Sequence, residues 1–288
     1  MIKLERVATF LAVAKLGGFR EAARHTGLSQ SAVTQHVKRL EQSLNVHLIE
    51  RSNARSKLTP EGQFFLPYAE NLVRTCERVN ALFKSSSLVV GASSNIGIYL
   101  LQPYLKAYKD SSQHKLEAII GTNAAIVAKL QNFEIDVAIM EWWDGRPGFV
   151  ATPWRSEKLV VIVPPSHPWA GLSGIPRDWL IGQQLLGGEP SSGTGRLLQQ
   201  CFGADADKIG VSMQLGSTEA VKHAVQAGLG ISLVMEISVT HEAHSGLLFA
   251  IPISGEPLHK VLYVVRRDGG MLHDRPAEQF TAFLLNQQ

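Results

Sequence analysis

Leu28-Ser29-Gln30-Ser31-Ala32-Val33-Thr34-Gln35-His36-Val37-Lys38-Arg39-Leu40-Glu41 is the stretch from which the rest of this chain can be read. Val33, Val37, Leu40 and Leu44 recur at i, i+4, i+7 and i+11, the spacing of one buried helix face. Ser29 is a good N-cap, able to accept from the free N–H groups at a helix start. Gln30, Ser31, Thr34, Gln35 and Lys38 lie on the opposite face. Short hydrogen-bonding side chains at a helix start, followed by bases, are what a helix needs to present to base edges in the major groove. The competing reading is an ordinary polar surface facing water.

The neighbouring sequence supports the first reading. Upstream, Leu4, Val7, Phe10, Leu11 and Ala14 predict an amphipathic helix ended by Gly17-Gly18, and Phe19–His25 predicts a short second helix. Gly27 suits the positive φ of the tight turn between that helix and the next. Downstream, Val46–Arg51 is strand-like, Ser52–Ser56 is a polar basic turn, and Lys57-Leu58 is a return. This is a wing that would set Arg51 and Arg55 against phosphates or the minor groove. Charge agrees: residues 1–58 hold ten basic and four acidic residues, a net of +6, whereas the whole chain is only +3. A basic head on a mildly acidic body implies a polyanion partner for the head.

Phe19-Arg20-Glu21-Ala22-Ala23, the Leu28–Glu41 stretch, Leu48-Ile49-Glu50-Arg51 and Leu58-Thr59-Pro60-Glu61-Gly62 resemble the N-terminal domain of LysR-type transcriptional regulators. Ile49 stands where that family usually has an aromatic, a conservative packing change. Gln35 stands where it often has arginine, which alters the base that this position reads.

Thr59-Pro60-Glu61 predicts a helix start, with a threonine cap, proline at the first helical position and an acid in the first turn. Phe65, Ala69, Leu72, Cys76, Val79 and Phe83 follow at alternating spacings of 4 and 3, the period of a coiled-coil seam. A helix of about 25 residues, roughly 37 Å long, is expected to pair with its twin in a second chain. The alternative is an amphipathic helix lying on the body. Residues 59–87 thus read as a dimerisation helix and hinge between a winged helix-turn-helix at 1–58 and a body at 88–288.

The body alternates strand-like and helix-like runs, which implies α/β layers. The strand-like runs are Leu88–Ala92, Leu116–Ile120, Ile135–Met140, Leu159–Val163, Gln184–Leu186, Ser212–Leu215, Ile231–Met235, Leu248–Ile251 and Val261–Val265. Helices are expected near 96–110, 123–132, 193–202, 217–227, 236–243 and 276–286. Gly121–Met140 aligns without a gap on Gly216–Met235, each reading glycine, hydroxyl cap, helix, strand, which fits two similar lobes. The runs near Val161–Pro164 and Leu262–Val265 are the expected crossings, with lobe I about 88–162 plus 266–288 and lobe II about 163–265. Hydroxyl and amide groups head the helices: Ser93, Ser94 and Asn95, then Thr122 and Asn123, Ser192 and Thr194, and Thr218. Any one of these serves equally well as a plain helix cap. Converging on one cleft, they would suit a carboxylate, sulfate or phosphate.

Val89–Pro103, Asp136-Val137-Ala138-Ile139, Ser192-Gly193-Thr194 and Gly228–Ser232 resemble the LysR-type effector domain, a two-lobed fold like that of periplasmic solute-binding proteins. The resemblance implies promoter DNA and a small-molecule effector as partners, in a homodimer or a fuller tetramer. Glu141-Trp142-Trp143 follows a strand end and either borders the cleft or packs a lobe; a carboxylate there would disfavour a dianion and select an amine or hydroxyl.

Other functions leave no comparable trace. There is no GxSxG, P-loop, GxGxxG or HExxH, so no enzymatic centre, cofactor or metal site is expected. Cys76 and Cys201 are the only cysteines, too few for a disulfide scaffold. A solute-binding protein would need an export signal, yet the first residues include Lys3, Glu5 and Arg6 in an amphipathic pattern. The apolar runs are too short to span a bilayer. The expectation is a cytoplasmic regulator.

Overall fold

The computed structural model describes residues 1–51, 56–84, 87–189, 192–268 and 276–287. The chain divides into two units, Met1–Ser85 and Ser86–Gln288.

In the first unit, α1 (Leu4–Leu16), α2 (Phe19–Thr26) and α3 (Gln30–Leu44) enclose a core of Val7, Phe10, Val13, Ala22, Val33, Val37 and Leu40. Gly27 closes α2 at φ 69°, a conformation that favours a residue without a Cβ. The Ser29 side chain then accepts from the Ala32 N–H at 3.1 Å and starts α3. Strands β1 (Ile49–Arg51) and β2 (Ser56–Leu58) pair antiparallel, with Ile49 opposite Leu58. The hairpin is shorter than the sequence suggests. The segment before it is tied to α3 instead, through the Glu41 carboxylate, which accepts from the N–H groups of Leu48 at 2.8 Å and Ile49 at 3.2 Å.

Helix α4 (Pro60–Lys84) runs for 25 residues. Thr59 caps it, accepting from the Gly62 N–H at 2.9 Å while its hydroxyl donates to the His47 carbonyl at 2.6 Å. The apolar seam expected along this helix is divided. Ala69 is fully buried in the head's own core, and the Phe65 ring packs 5.5 Å from Phe10. Those two positions are therefore taken up by the head, because α4 begins by packing against α1. Cys76 is half-buried, and the Phe83 side chain lies outside the described residues. Leu72 and Val79 stay 44% and 48% exposed, and they continue a stripe begun by Phe64 and Tyr68, 72% and 56% exposed.

The second unit has a main sheet in the order β4 (Lys115–Gly121), β3 (Ser87–Ser93), β5 (Val137–Met140), β12 (His259–Arg267), β6 (Phe149–Val163), β11 (Phe249–Ser254), β7 (Ile175–Pro176), with β10 (Ser232–Met235) also paired to β6, and a two-stranded sheet of β8 (Gln184–Leu186) and β9 (Gly210–Met213). Lobe I carries β3 (Ser87–Ser93), α5 (Ser94–Tyr99), α6 (Leu101–Ser111), β4 (Lys115–Gly121), α7 (Asn123–Gln131), β5 (Val137–Met140) and α11 (Pro276–Leu285). Lobe II carries β7 (Ile175–Pro176), β8 (Gln184–Leu186), α8 (Gly193–Phe202), β9 (Gly210–Met213), α9 (Thr218–Gln226), β10 (Ser232–Met235), α10 (Thr240–His244) and β11 (Phe249–Ser254). Two strands serve both lobes: β6 (Phe149–Val163) and β12 (His259–Arg267).

These shared strands are longer than their apolar runs. Phe149–Lys158 of β6 pairs with β12, whereas Leu159–Val163 pairs with β10 and β11. The crossings therefore fall near Glu157–Leu159 and His259–Val261, a few residues before the expected ones. The polar first half of β6 has no apolar run because one side of it faces outward. The helix expected at 96–110 is broken at Leu100, where φ is −120°. The run 236–243 contains a short 3₁₀ turn before α10. The internal echo corresponds to two α–β units, α7–β5 and α9–β10, started by Thr122 and Ser217 caps.

One glycine is decisive in the head. A Cβ on Gly62 would sit 2.0 Å from the Leu48 carbonyl oxygen and 3.2 Å from a Leu58 methyl. In an open helix position alanine outperforms glycine by about 1 kcal/mol. Here Gly62→Ala should instead destabilise the full-length protein by about 1–3 kcal/mol, the usual cost of overpacking, read as a lower denaturation midpoint.

Candidate functional sites

The polar face expected to meet DNA is set by the packing of α3. Val33, Val37 and Leu40 are at most 1% exposed, which pins the back of the helix. That leaves Gln30, Ser31, Gln35 and Lys38 exposed and Thr34 partly so. Ser31 Oγ lies 2.9 Å from Ser29 Oγ. On the inner side His36 Nδ1 meets the Thr9 hydroxyl at 3.0 Å, so His36 is held between α1 and α3 and not offered outward. Arg51 belongs to β1, but its side chain lies outside the described residues, as does Arg55.

The second site lies where lobes I and II meet. The residues expected there form three groups. In the first, Asn123 donates to the Trp142 carbonyl at 3.2 Å and accepts from the Glu141 N–H at 3.2 Å. The Glu141 carboxylate pairs with Lys260 at 2.9 Å, and Lys260 also donates to the Thr194 hydroxyl at 3.2 Å. One chain of contacts thus runs from α7 in lobe I, through a shared strand, to the start of α8 in lobe II. In the second group the Thr218 hydroxyl donates to Asn95 Oδ1 at 2.7 Å, joining α9 to α5. In the third, side chains serve local structure. Thr122 accepts from the Ala125 N–H and Ser192 from the Gly195 N–H, each at a helix start. Ser94 donates to the Gly121 carbonyl at 3.0 Å.

Ser93 differs from these. It is 1% exposed, and its hydroxyl has no hydrogen-bond partner among the described residues. The buried indole N–H of Trp142 likewise has none among them, although the Arg196 guanidinium lies 3.7 Å above the ring. Trp143 packs against Phe149 within lobe I, so it is a core residue.

Sequence reasoning missed several members of this site. Lys260 shares a strand face with buried Leu262 and Val264, so strict alternation along β12 could have flagged it. Tyr99 donates to Glu219 at 2.5 Å across the lobes, next to Lys222. Burial raises the Tyr99 pKa, and the Glu219 carboxylate raises it further. Burial alone would lower the Lys222 pKa, but its bonds to Glu219 and Glu242 outweigh that and raise it. A buried cation between two carboxylates holds this edge of α9 in place. Spacing along α9 shows only the Glu219–Lys222 pair, three residues apart, because Tyr99 and Glu242 come from other helices.

Among the described residues no group of three or more His, Cys, Asp or Glu could hold a metal ion, and no helix is long and apolar enough to cross a membrane. His241 and His244 lie on the short helix α10, where His244 Nδ1 contacts the Thr240 carbonyl.

Comparison with known proteins identifies the family of both units. Residues 4–63 match the family model of the bacterial regulatory helix-turn-helix protein, lysR family, and residues 84–288 match the LysR substrate binding domain. PtxE of Stutzerimonas stutzeri, described as an HTH-type transcriptional regulator protein, is 38% identical over 188 residues, 65% of this chain and 96% of that one. A probable RuBisCO transcriptional regulator of Cyanidioschyzon merolae is 30% identical over 275 residues, 91% of each chain. Among solved structures, an OxyR mutant of Corynebacterium glutamicum aligns with a TM-score of 0.62 at 25% identity, over 99% of this chain and 92% of that one. CbnR complexed with its target DNA shares the fold, with a TM-score of 0.58 at 19% identity over 99% of both chains. The two family models together span nearly the whole chain and, with the 30%-identical relative, show that this chain belongs to the LysR family of DNA-binding transcriptional regulators with an effector-binding domain.

Proposed function

We propose that this regulator acts in the cytoplasm as a homodimer, or a tetramer built from dimers, which reads promoter DNA through α3 and the wing and answers to a small molecule held between lobes I and II. The observation that carries the reading is the division of α3 into a fully buried apolar back and an exposed polar front. Gln30, Ser31, Thr34 and Gln35 would meet base edges, while Lys38, Arg51 and Arg55 would meet phosphates. Ser93, Ser94, Asn95, Thr122, Asn123, Ser192, Thr194 and Thr218 would border the effector, with a carboxylate or another oxyanion as the chemistry that so many donors suit. No catalytic role is assigned to any of them.

The direct test is a gel-shift titration with DNA adjoining the protein's own gene. Thr34→Ala or Gln35→Ala should cost about 1–3 kcal/mol at the operator and relax preference at one or two base pairs. Lys38→Ala should weaken binding to all sequences alike and lower the salt slope by about 1. Normal binding by all three variants would reject α3 as the reading helix.

Assembly can be checked separately. The exposed stripe Phe64, Tyr68, Leu72 and Val79 supports pairing of α4 with a second copy, since it is large, apolar and unburied within the chain. Leu72→Glu should release monomers in sedimentation at micromolar concentration and abolish operator binding. A wild-type chain already monomeric under those conditions would reject the pairing.

A further inference from the structure

Resting on the reading of the lobe junction as an effector site, we infer that Lys260 is the residue that selects an anionic effector, and that Glu141 is a built-in competitor the effector must displace. Lys260 and Glu141 side chains are 4% and 10% exposed, and they face each other at 2.9 Å. A buried ion pair is poor evidence of a stability device: removing two charges from water costs several kcal/mol per ion, and a packed apolar pair often does as well. At the junction of two lobes the same pair has a use. It keeps a cation dehydrated and in position until another anion arrives.

The surroundings favour an anion over an amine. Lys260 donates to Thr194, the second residue of α8. A Cβ on Gly193, the first residue, would lie 3.2 Å from Lys260 Nζ and 3.1 Å from a Glu141 oxygen, so the pair sits directly on the helix start. N–H groups at the first positions of a helix have no intrahelical acceptor and carry the positive end of its dipole. Ser93, buried at the end of β3 beside β5, offers a hydroxyl with no partner among the described residues. Lys260, the head of α8 and the Ser93 hydroxyl could all give hydrogen bonds to oxygen. Among the described residues Glu141 is the only carboxylate bonded to Lys260. The carboxylate therefore no longer argues for an amine-bearing effector.

Exchange would also involve both lobes. Glu141 directly follows β5 of lobe I, Thr194 is in the first turn of α8 of lobe II, and Lys260 lies on the shared strand β12. An oxyanion that takes Lys260 and Thr194 leaves Glu141 buried without a counter-ion, so its carboxylate must either take up a proton or turn away from α8.

The test measures binding of inorganic phosphate and sulfate to the full-length protein by titration calorimetry, with methylammonium as the opposing probe. Glu141→Gln removes the competitor and should tighten oxyanion binding at least tenfold. Lys260→Gln should abolish it. The paired variant Glu141→Met with Lys260→Met, which leaves no buried charge unpaired, should fold with an unchanged circular dichroism spectrum and ignore both anions. Three results would overturn the inference: oxyanion affinity unchanged in Glu141→Gln, undiminished oxyanion binding by the paired variant, or wild-type protein that binds methylammonium more tightly than either oxyanion. Failure of wild-type protein to shift promoter DNA would instead count against the regulator reading, whatever the anion results.

Discussion

Antiparallel pairing of β6 with β12 is the constraint on which the effector unit depends. Over Phe149–Lys158 β6 pairs with His259–Arg267, with one register shift at Leu262/Tyr263, and over Leu159–Val163 it pairs with β10 and β11 of lobe II, so one continuous strand carries both lobes. The partners of β6 switch between Lys158 and Leu159, from β12 to β10 and β11, and that point is the hinge between the lobes. Everything polar at the junction is arranged around this hinge. The Glu141–Lys260–Thr194 contacts lie on it, and the α5–α9 contacts through Asn95–Thr218 and Tyr99–Glu219 lie to one side. Two independent polar connections across one hinge give the lobes a definite resting geometry without a large apolar interface.

The head was readable in the sequence almost position by position. Its elements are local: α3 shows its stripe, its Ser29 cap and its turn glycine within a single stretch, and the packing follows from that periodicity. The wing boundary shifted because Glu41, seven residues upstream of Leu48, supplies the acceptor that a strand partner would otherwise supply. The α4 seam was harder to read for a related reason. A spacing of 3.5 says that one side of a helix is covered, but not by what, and for Phe65 and Ala69 the cover is α1 of the same chain.

In the body the alternation of strands and helices was legible, and the echo around Thr122 and Ser217 marked the two repeated units. The cleft was only half legible. Hydroxyl-rich helix starts are visible in sequence, and Asn95, Thr194 and Thr218 do bond across the junction, but Thr122 and Ser192 cap their own helices, and Lys260, Tyr99 and Glu219 join from elsewhere. Lys260 is 119 residues from Glu141 and 66 from Thr194. Such a triad is created by topology, and local spacing carries no trace of it.

The close fit at the start of α4 has a mechanical meaning. Thr59 bonds to the His47 carbonyl, Gly62 lies against Leu48, Ala69 is buried in the head core, and Lys15 reaches Glu70 at 3.0 Å. The first three turns of the helix and the DNA-reading head are therefore one stiff piece, with no swivel at their joint. If two such helices lie side by side, their crossing angle alone dictates how far apart the two reading faces stand. The long helix then works as a calliper, measuring the DNA interval between half-sites by geometry and not by touching a base.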